Sequence, residues 1–365
     1  MDSPPVNVST LRRMKAEAEP IACLTAYDAS FAQLVDMVGM DLVLVGDSLG
    51  MVIQGHETTV PVTVDDVIYH TRIVARGLSR AFLVSDLPFM SYATPEQALD
   101  NAVRLMQEGG AKMVKLEGGQ GQISVVECLA RHDIPVCAHV GLKPQSVHKI
   151  GGFKVQGREQ AAAEQMAEDA KSLEGAGADV LLLECVPNEV GERISEIIEL
   201  PIIGIGAGPS VDGQILVLYD MLGVTQGRTP RFVRNFMEGA SSTLDALEAY
   251  VAAVKDRSYP DKEHCFTSRQ LAGHLAGIRG YRGTEFYISR RYDSVRDGLT
   301  IFWRHPLLHP PGKEYKYSSH GYNLLSAVIE GASCQEFLPY MDEHVFGPIG
   351  INHTHADFVR KTIEQ

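Results

Sequence analysis

DLVLVGDSLG, residues 41–50, is an apolar run that stops at an acid, a hydroxyl and a glycine. Its aliphatic residues, Leu42 to Val45, leave no face for water, the pattern of a strand buried on both sides. Such a strand has no use for Asp47 and Ser48 unless its end opens on a place where polar groups are needed.

The same pattern recurs from residue 20 to about 220. Candidate strands are IACLTAY (21–27), DLVLVGD (41–47), AFLVSDLP (81–88), AKMVKLEGG (111–119), IPVCAHVGL (134–142), ADVLLLECV (178–186), PIIGIGAG (201–208) and QILVLYD (214–220). Amphipathic stretches lie between them. In TPEQALDNAVRLMQEGG, Thr94 is a candidate N-cap, Glu96 and Gln97 fall in the first turn, and Gly109 closes the end; in EQAAAEQMAEDAKSLEGAG the stop is Gly175. Eight apolar strands alternating with helices over about 250 residues predict a closed (β/α)8 TIM barrel better than an open sheet. The eighth strand is the least marked: only PSVDG separates it from the seventh, and it also reads as a short helix.

The chain has 365 residues, 45% of them hydrophobic, enough for one large core or two unequal domains. No apolar stretch reaches eighteen residues, and MDSPPVNVST lacks the basic-then-apolar order of a signal peptide, which predicts a cytoplasmic protein with no membrane partner. Six scattered cysteines (Cys23, Cys128, Cys137, Cys185, Cys265, Cys334) show no metal-ligand spacing and read as buried free thiols. A net charge of -13 argues against a nucleic-acid groove, which needs clustered Lys and Arg.

In a barrel of this type chemistry gathers at the C-terminal ends of the strands. Strand two ends in Asp47-Ser48, strand three in Asp86, strand four in Lys115 and Glu117, strand five in His139 and strand six in Glu184. Any one of these acids alone reads as a helix N-cap or a surface residue; four on one rim read as a site. Asp47, Asp86 and Glu117 are hard oxygen donors suited to Mg²⁺ rather than zinc, and a 2-oxo acid chelated there would form a stabilised enolate. Glu184, at the end of an apolar strand, is the candidate base, its pKa raised by burial. Lys115 offers a cation for a substrate carboxylate, or else a salt bridge to a rim acid.

Two glycine-rich stretches complete the inventory. GIGAGPS lacks the full dinucleotide fingerprint and reads as tight backbone at a strand end. IGGFKVQGR, residues 150–158, is either a lid over the barrel mouth or an ordinary surface loop.

At LTAYDASFA, VGDSLGMVIQGHETTVPVTVDDVIYHT, SDLPFMSYATPEQAL, MVKLEGG, PVCAHVGLKPQSV, GGFKVQGR, LLLECVP and PIIGIGAGPSVDGQILVLYDMLG, the sequence resembles the 3-methyl-2-oxobutanoate (ketopantoate) hydroxymethyltransferase family, over about residues 7–265. The resemblance implies a Mg²⁺-dependent enzyme of pantothenate biosynthesis. It would transfer a hydroxymethyl group from 5,10-methylenetetrahydrofolate to 3-methyl-2-oxobutanoate, giving 2-dehydropantoate. It further implies that Asp47 and Asp86 bind metal and oxo acid, Glu117 completes the metal site, Ser48 and Lys115 contact the substrate, and Glu184 accepts the proton. Members form homo-oligomers through the barrel; TLDALEAYVAAV is compatible with such an interface and equally with barrel packing. No folate contact is readable.

After YPDKEHCF the character changes: aromatics and Arg rise, and the only tryptophan, Trp303, lies here. Residues 267–365 resemble a truncated middle portion of a serine β-lactamase-like, penicillin-binding-type domain, with Tyr317 and Ser319 of YSS where a middle motif belongs. No Ser-x-x-Lys nucleophile stands upstream in a suitable context and the final strand motif is missing, so no hydrolase activity is expected. The expected organisation is a barrel over 1–266 and a partial, mostly helical segment over 267–365. Two alternatives stand beside the transferase. One is another Mg²⁺-enolate barrel of the isocitrate lyase or phosphoenolpyruvate mutase type, though that type lacks GGFKVQGR and LLLECVP. The other is an inactive barrel whose tail serves as an interaction module.

Overall fold

The computed structural model describes residues 4–225, 229–265, 278, 299, 302, 305–308, 318–333 and 335–348. The chain forms two compact units, residues 1–157 with 162–266, and residues 158–161 with 267–365.

The first unit holds eight strands: β1 (Ile21–Thr25), β2 (Leu42–Val45), β3 (Phe82–Asp86), β4 (Met113–Glu117), β5 (Val136–Gly141), β6 (Val180–Glu184), β7 (Ile202–Ile205) and β8 (Gly213–Leu216). All pair in parallel in chain order, and β8 pairs with β1, so the barrel closes as the alternation predicts. The helices are α1 (Val8–Ala16), α2 (Ala29–Met37), α3 (Val64–Gly77), α4 (Pro95–Gln107), α5 (Ile123–Arg131), α6 (Gln160–Gly175), α7 (Asn188–Ile197) and α8 (Thr243–Lys255).

Two apolar layers follow from the strand alternation. One set of strand side chains, including Leu24, Val43, Leu83, Val114 and Leu181, faces the helices. The other, including Cys23, Leu44, Val84, Met113 and Leu182, fills the barrel, and Leu11 and Met14 of α1 join this inner cluster. The Asn7 side chain accepts from the Thr10 N–H to start α1. Arg12 and Lys15 then pair with Asp179 and Asp212, the residues just ahead of β6 and β8, which locates α1 at the N-terminal end of the barrel.

The structure adjusts several expected boundaries. β8 covers Gly213–Leu216 instead of 214–220, and Leu218–Met221 is a helical turn. The Leu218 N–H donates to Thr25 Oγ1 (2.9 Å), which draws the chain out of the ladder where β1 itself ends. Thr94 caps α4 as expected, but the left-handed residue after that helix is Gly110, not Gly109, and after α6 it is Gly177, not Gly175. GIGAGPS is tight strand-end backbone: Gly206 has φ +65°, and a Cβ there would lie 2.6 Å from Phe232. In α8, Tyr250 is fully buried and its hydroxyl reaches the Cys23 and Gln214 carbonyls, so this face packs on the barrel.

Cys23, Cys128, Cys137, Cys185 and Cys265 are buried free thiols. Among the described residues no helix is long and apolar enough to cross a membrane. In the second unit, α9 (Ser319–Ser333) and α10 (Phe337–Met341) make the described part helical, with Phe302 stacked on His320 at 4.4 Å. Trp303, Tyr317 and Cys334 lie outside the described residues.

Candidate active site

Strand register brings the polar strand ends together. Asp86 is opposite Lys115, Glu117 opposite His139, and Gly141 opposite Glu184 in the β3–β4, β4–β5 and β5–β6 ladders. Lys115 and Glu117 are two apart on β4 and so share one face. Asp47 lies two residues beyond β2, in the turn before a short helix (Leu49–Val52). Its backbone N–H donates to Asp86 Oδ2 (2.8 Å), which fixes the two aspartates side by side. Ser48, next in the chain, shares a hydrogen bond with the Tyr27 hydroxyl (2.8 Å).

Charge is unbalanced here. Lys115 Nζ lies 2.8 Å from Asp86 Oδ1, 3.3 Å from His139 Nδ1 and 4.0 Å from Glu117 Oε1. The salt bridge expected for Lys115 is thus made chiefly with Asp86. Four carboxyl groups, Asp47, Asp86, Glu117 and Glu184, face this single ammonium. At the opposite end of the barrel the buried Asp41 instead has two bases, Arg80 at 2.8 Å and Lys255 at 2.7 Å.

The imbalance shows in the acidities. Burial, reinforced by the Asp86 charge, pushes Asp47 up to about 7. Burial also raises Glu117 well above the usual carboxylate range, Lys115 offsetting only part of it. Glu184 is pushed up to about 8, first by burial and then by Asp47 and Asp86. For Lys115 burial works against the charge, yet the surrounding acids carry it above its ordinary value. His139, lowered well below its ordinary value by burial and by Lys115, is neutral.

His139 separates the two halves of the site. Its Nε2 lies 3.3 Å from Glu184 Oε2, without good hydrogen-bond alignment, while Nδ1 faces Lys115. Glu184 is the most exposed of the four acids, its side chain 15% accessible, and Cys185 behind it turns into the left-handed region at φ +49°. The glycine-punctuated loop after β5 reaches this point, the Gln156 N–H donating to the Cys185 carbonyl (2.8 Å).

Sequence reasoning missed a second ring of residues. The Gln145 side-chain amide donates to Asp47 Oδ2 (2.8 Å) and to the Leu87 carbonyl (3.0 Å), while its backbone N–H donates to Glu117 Oε2 (3.1 Å). The Tyr92 hydroxyl donates to Gln145 Oε1 (2.5 Å). Neither residue ends a strand, so period-2 reading gave no signal for them. His139 did stand at a strand end, but nothing in its neighbourhood assigned it a role.

The donor set suits a hard divalent cation. The acids supply hard carboxylate oxygens, Glu117 Oε1 is buried without a hydrogen bond, and the excess negative charge wants a counter-ion. Among the described residues, however, no three Asp, Glu, His or Cys are already spaced to enclose one ion. Asp47 and Asp86 are the adjoining pair; Glu117 stands off beside Lys115.

A closed (β/α)8 barrel with carboxylates and a lysine at its C-terminal mouth defines a barrel enzyme of the kind that acts on small molecules. More particularly, the chain belongs to the ketopantoate hydroxymethyltransferase family, whose profile matches residues 5–262. The 3-methyl-2-oxobutanoate hydroxymethyltransferase of Alkalilimnicola ehrlichii is 61% identical over 262 residues, covering 72% of this chain and 95% of the relative. The protein of the same name from Halorhodospira halophila is 60% identical over 261 residues, covering 72% and 94%. A second profile, Beta-lactamase, matches residues 236–360. The two matches overlap at α8, which the structure packs against β1 and β8. Among solved structures, a putative phosphonomutase from Burkholderia cenocepacia has a TM-score of 0.47 at 14% identity, over 60% of this chain and 95% of that one, too distant to bear on function.

Proposed function

We propose that the barrel transfers a hydroxymethyl group from 5,10-methylenetetrahydrofolate to 3-methyl-2-oxobutanoate, using Mg²⁺. The observation that carries this reading is the meeting of three buried carboxyl groups, Asp47, Asp86 and Glu117, and the partly accessible Glu184 with one lysine at the barrel mouth, in a chain of this family. Mg²⁺ would be held by Asp47 and Asp86, with Glu117 completing the site, and would supply positive charge to the oxygens of the oxo acid. Lys115, already drawn toward the acids, would take the substrate carboxylate, and Ser48, steadied by Tyr27, would contact the substrate beside Asp47.

Glu184 would remove the proton from C3, leaving that carbon to attack the incoming one-carbon unit. Its raised pKa makes it a far stronger base than an exposed glutamate, and His139 holds it apart from the Lys115–Asp86 pair. Residues 1–266 would be the catalytic domain, and residues 267–365 a β-lactamase-like segment. The test is formation of 2-dehydropantoate from 3-methyl-2-oxobutanoate and methylenetetrahydrofolate, with and without Mg²⁺. Turnover that needs the metal supports the reading; metal-independent turnover, or none, ends it.

A further inference from the structure

We propose that Gln145 is a positioning residue for the cation site, holding one oxygen of Asp47 and one of Glu117 in place so that the two carboxylates are oriented for the metal. The inference rests on the cation assignment above. Gln145 is 5% exposed and follows β5 in LKPQS, 98 residues from Asp47 in sequence. Its hydrogen bonds can be accounted for completely. The Leu87 carbonyl accepts only, so the end of the amide 3.0 Å away must be the nitrogen. The second proton of that nitrogen points to Asp47 Oδ2 at 2.8 Å. The amide oxygen then faces the Tyr92 hydroxyl at 2.5 Å, which locks the amide against a flip.

The backbone of the same residue holds the second acid. Its N–H donates to Glu117 Oε2 (3.1 Å), while Glu117 Oε1 is buried with no hydrogen bond. One short segment thus ties down one oxygen on each of two carboxylates that come from different strand ends. Two buried acids free to rotate would each lose side-chain entropy on closing around an ion; here that cost is met in advance by the fold. Tyr92 acts one step further out, through Gln145, and also lies 3.3 Å from the Glu117 backbone N–H.

Isothermal titration of MgCl₂ into the metal-free 365-residue chain, without oxo acid, tests this. Wild type, Gln145→Met and Tyr92→Phe are compared, with the folded state of each checked by circular dichroism. Gln145→Met keeps length and burial but offers no donor, and its Mg²⁺ dissociation constant should rise about 10–100-fold. Tyr92→Phe leaves the amide present but unlocked and should raise it by a smaller factor, about 3–10-fold. If Gln145→Met does not fold, Tyr92→Phe decides. Variants that bind Mg²⁺ within about twofold of a binding wild type would overturn the positioning role alone. A wild type that binds no Mg²⁺ would remove the cation assignment, and this inference with it.

Discussion

His139 Nε2 lies 3.3 Å from Glu184 Oε2. The other ring nitrogen, Nδ1, lies 3.3 Å from Lys115 Nζ. An ammonium has only protons to offer, so Nδ1 must accept, and the single proton of the neutral ring belongs on Nε2, facing Glu184. The imidazole therefore turns its N–H side toward the carboxylate, without good hydrogen-bond alignment, and stands between it and the lysine.

Replacing His139 with Phe keeps a planar ring but removes both nitrogens. The turnover number is expected to fall about 100-fold, while the KM for the oxo acid, set by Lys115 and the aspartates, changes little. Steady-state kinetics on the full chain measure both; an unchanged turnover number would deny the ring any part in holding the base.

Glu184→Gln preserves size and burial but cannot take a proton. Exchange of the C3 proton of 3-methyl-2-oxobutanoate with deuterated solvent, followed by proton NMR, should slow by a factor of about 100 or more, with oxo-acid affinity retained. Exchange at the wild-type rate would transfer the role of base to another group.

The pH dependence follows from the raised carboxyl groups. A base must be ionised, so proton exchange should rise with pH toward the Glu184 value of about 8. Added Mg²⁺ brings positive charge close by and should move that midpoint to lower pH. Rate–pH profiles at two Mg²⁺ concentrations check the shift.

Stability should move the other way. Asp47 and Glu184 hold protons more tightly when folded, at about 7 and about 8, than when unfolded. Their contribution is fully present below the unfolded carboxylate range and is lost as pH rises through the folded values. The metal-free protein should melt lower at pH 8.5 than at pH 5.5, and Mg²⁺ should raise the melting temperature more at the higher pH. Thermal melts in EDTA and in MgCl₂ measure this; a metal-free protein that is more stable at pH 8.5 would contradict the raised values.

Tyr250→Phe tests the barrel seam. The hydroxyl bridges the Cys23 carbonyl on β1 (2.7 Å) and the Gln214 carbonyl on β8 (3.0 Å), the strands that close the cylinder. Its loss should cost about 1–3 kcal/mol in urea unfolding, with catalytic constants near wild type because the site lies at other strand ends.

The alternation of aliphatic runs with amphipathic stretches was sufficient to read eight strands and a closed barrel, because burial on both faces leaves a local signature in every strand. The acids and the lysine at the strand ends were legible for the same reason: a charge that interrupts an apolar run is conspicuous. The left-handed residues that follow two helices were placed one or two residues early, since a run of neighbouring glycines does not reveal which one turns left-handed. Gln145, Tyr92 and the orientation of His139 left no such mark. Their roles depend on which residues barrel closure and strand register bring to one level, across separations of 98 residues from Gln145 to Asp47 and 53 from Gln145 to Tyr92. Local pattern thus determined the scaffold and its charged rim; only the closed tertiary structure decided which hydrogen bonds the buried carboxylates receive.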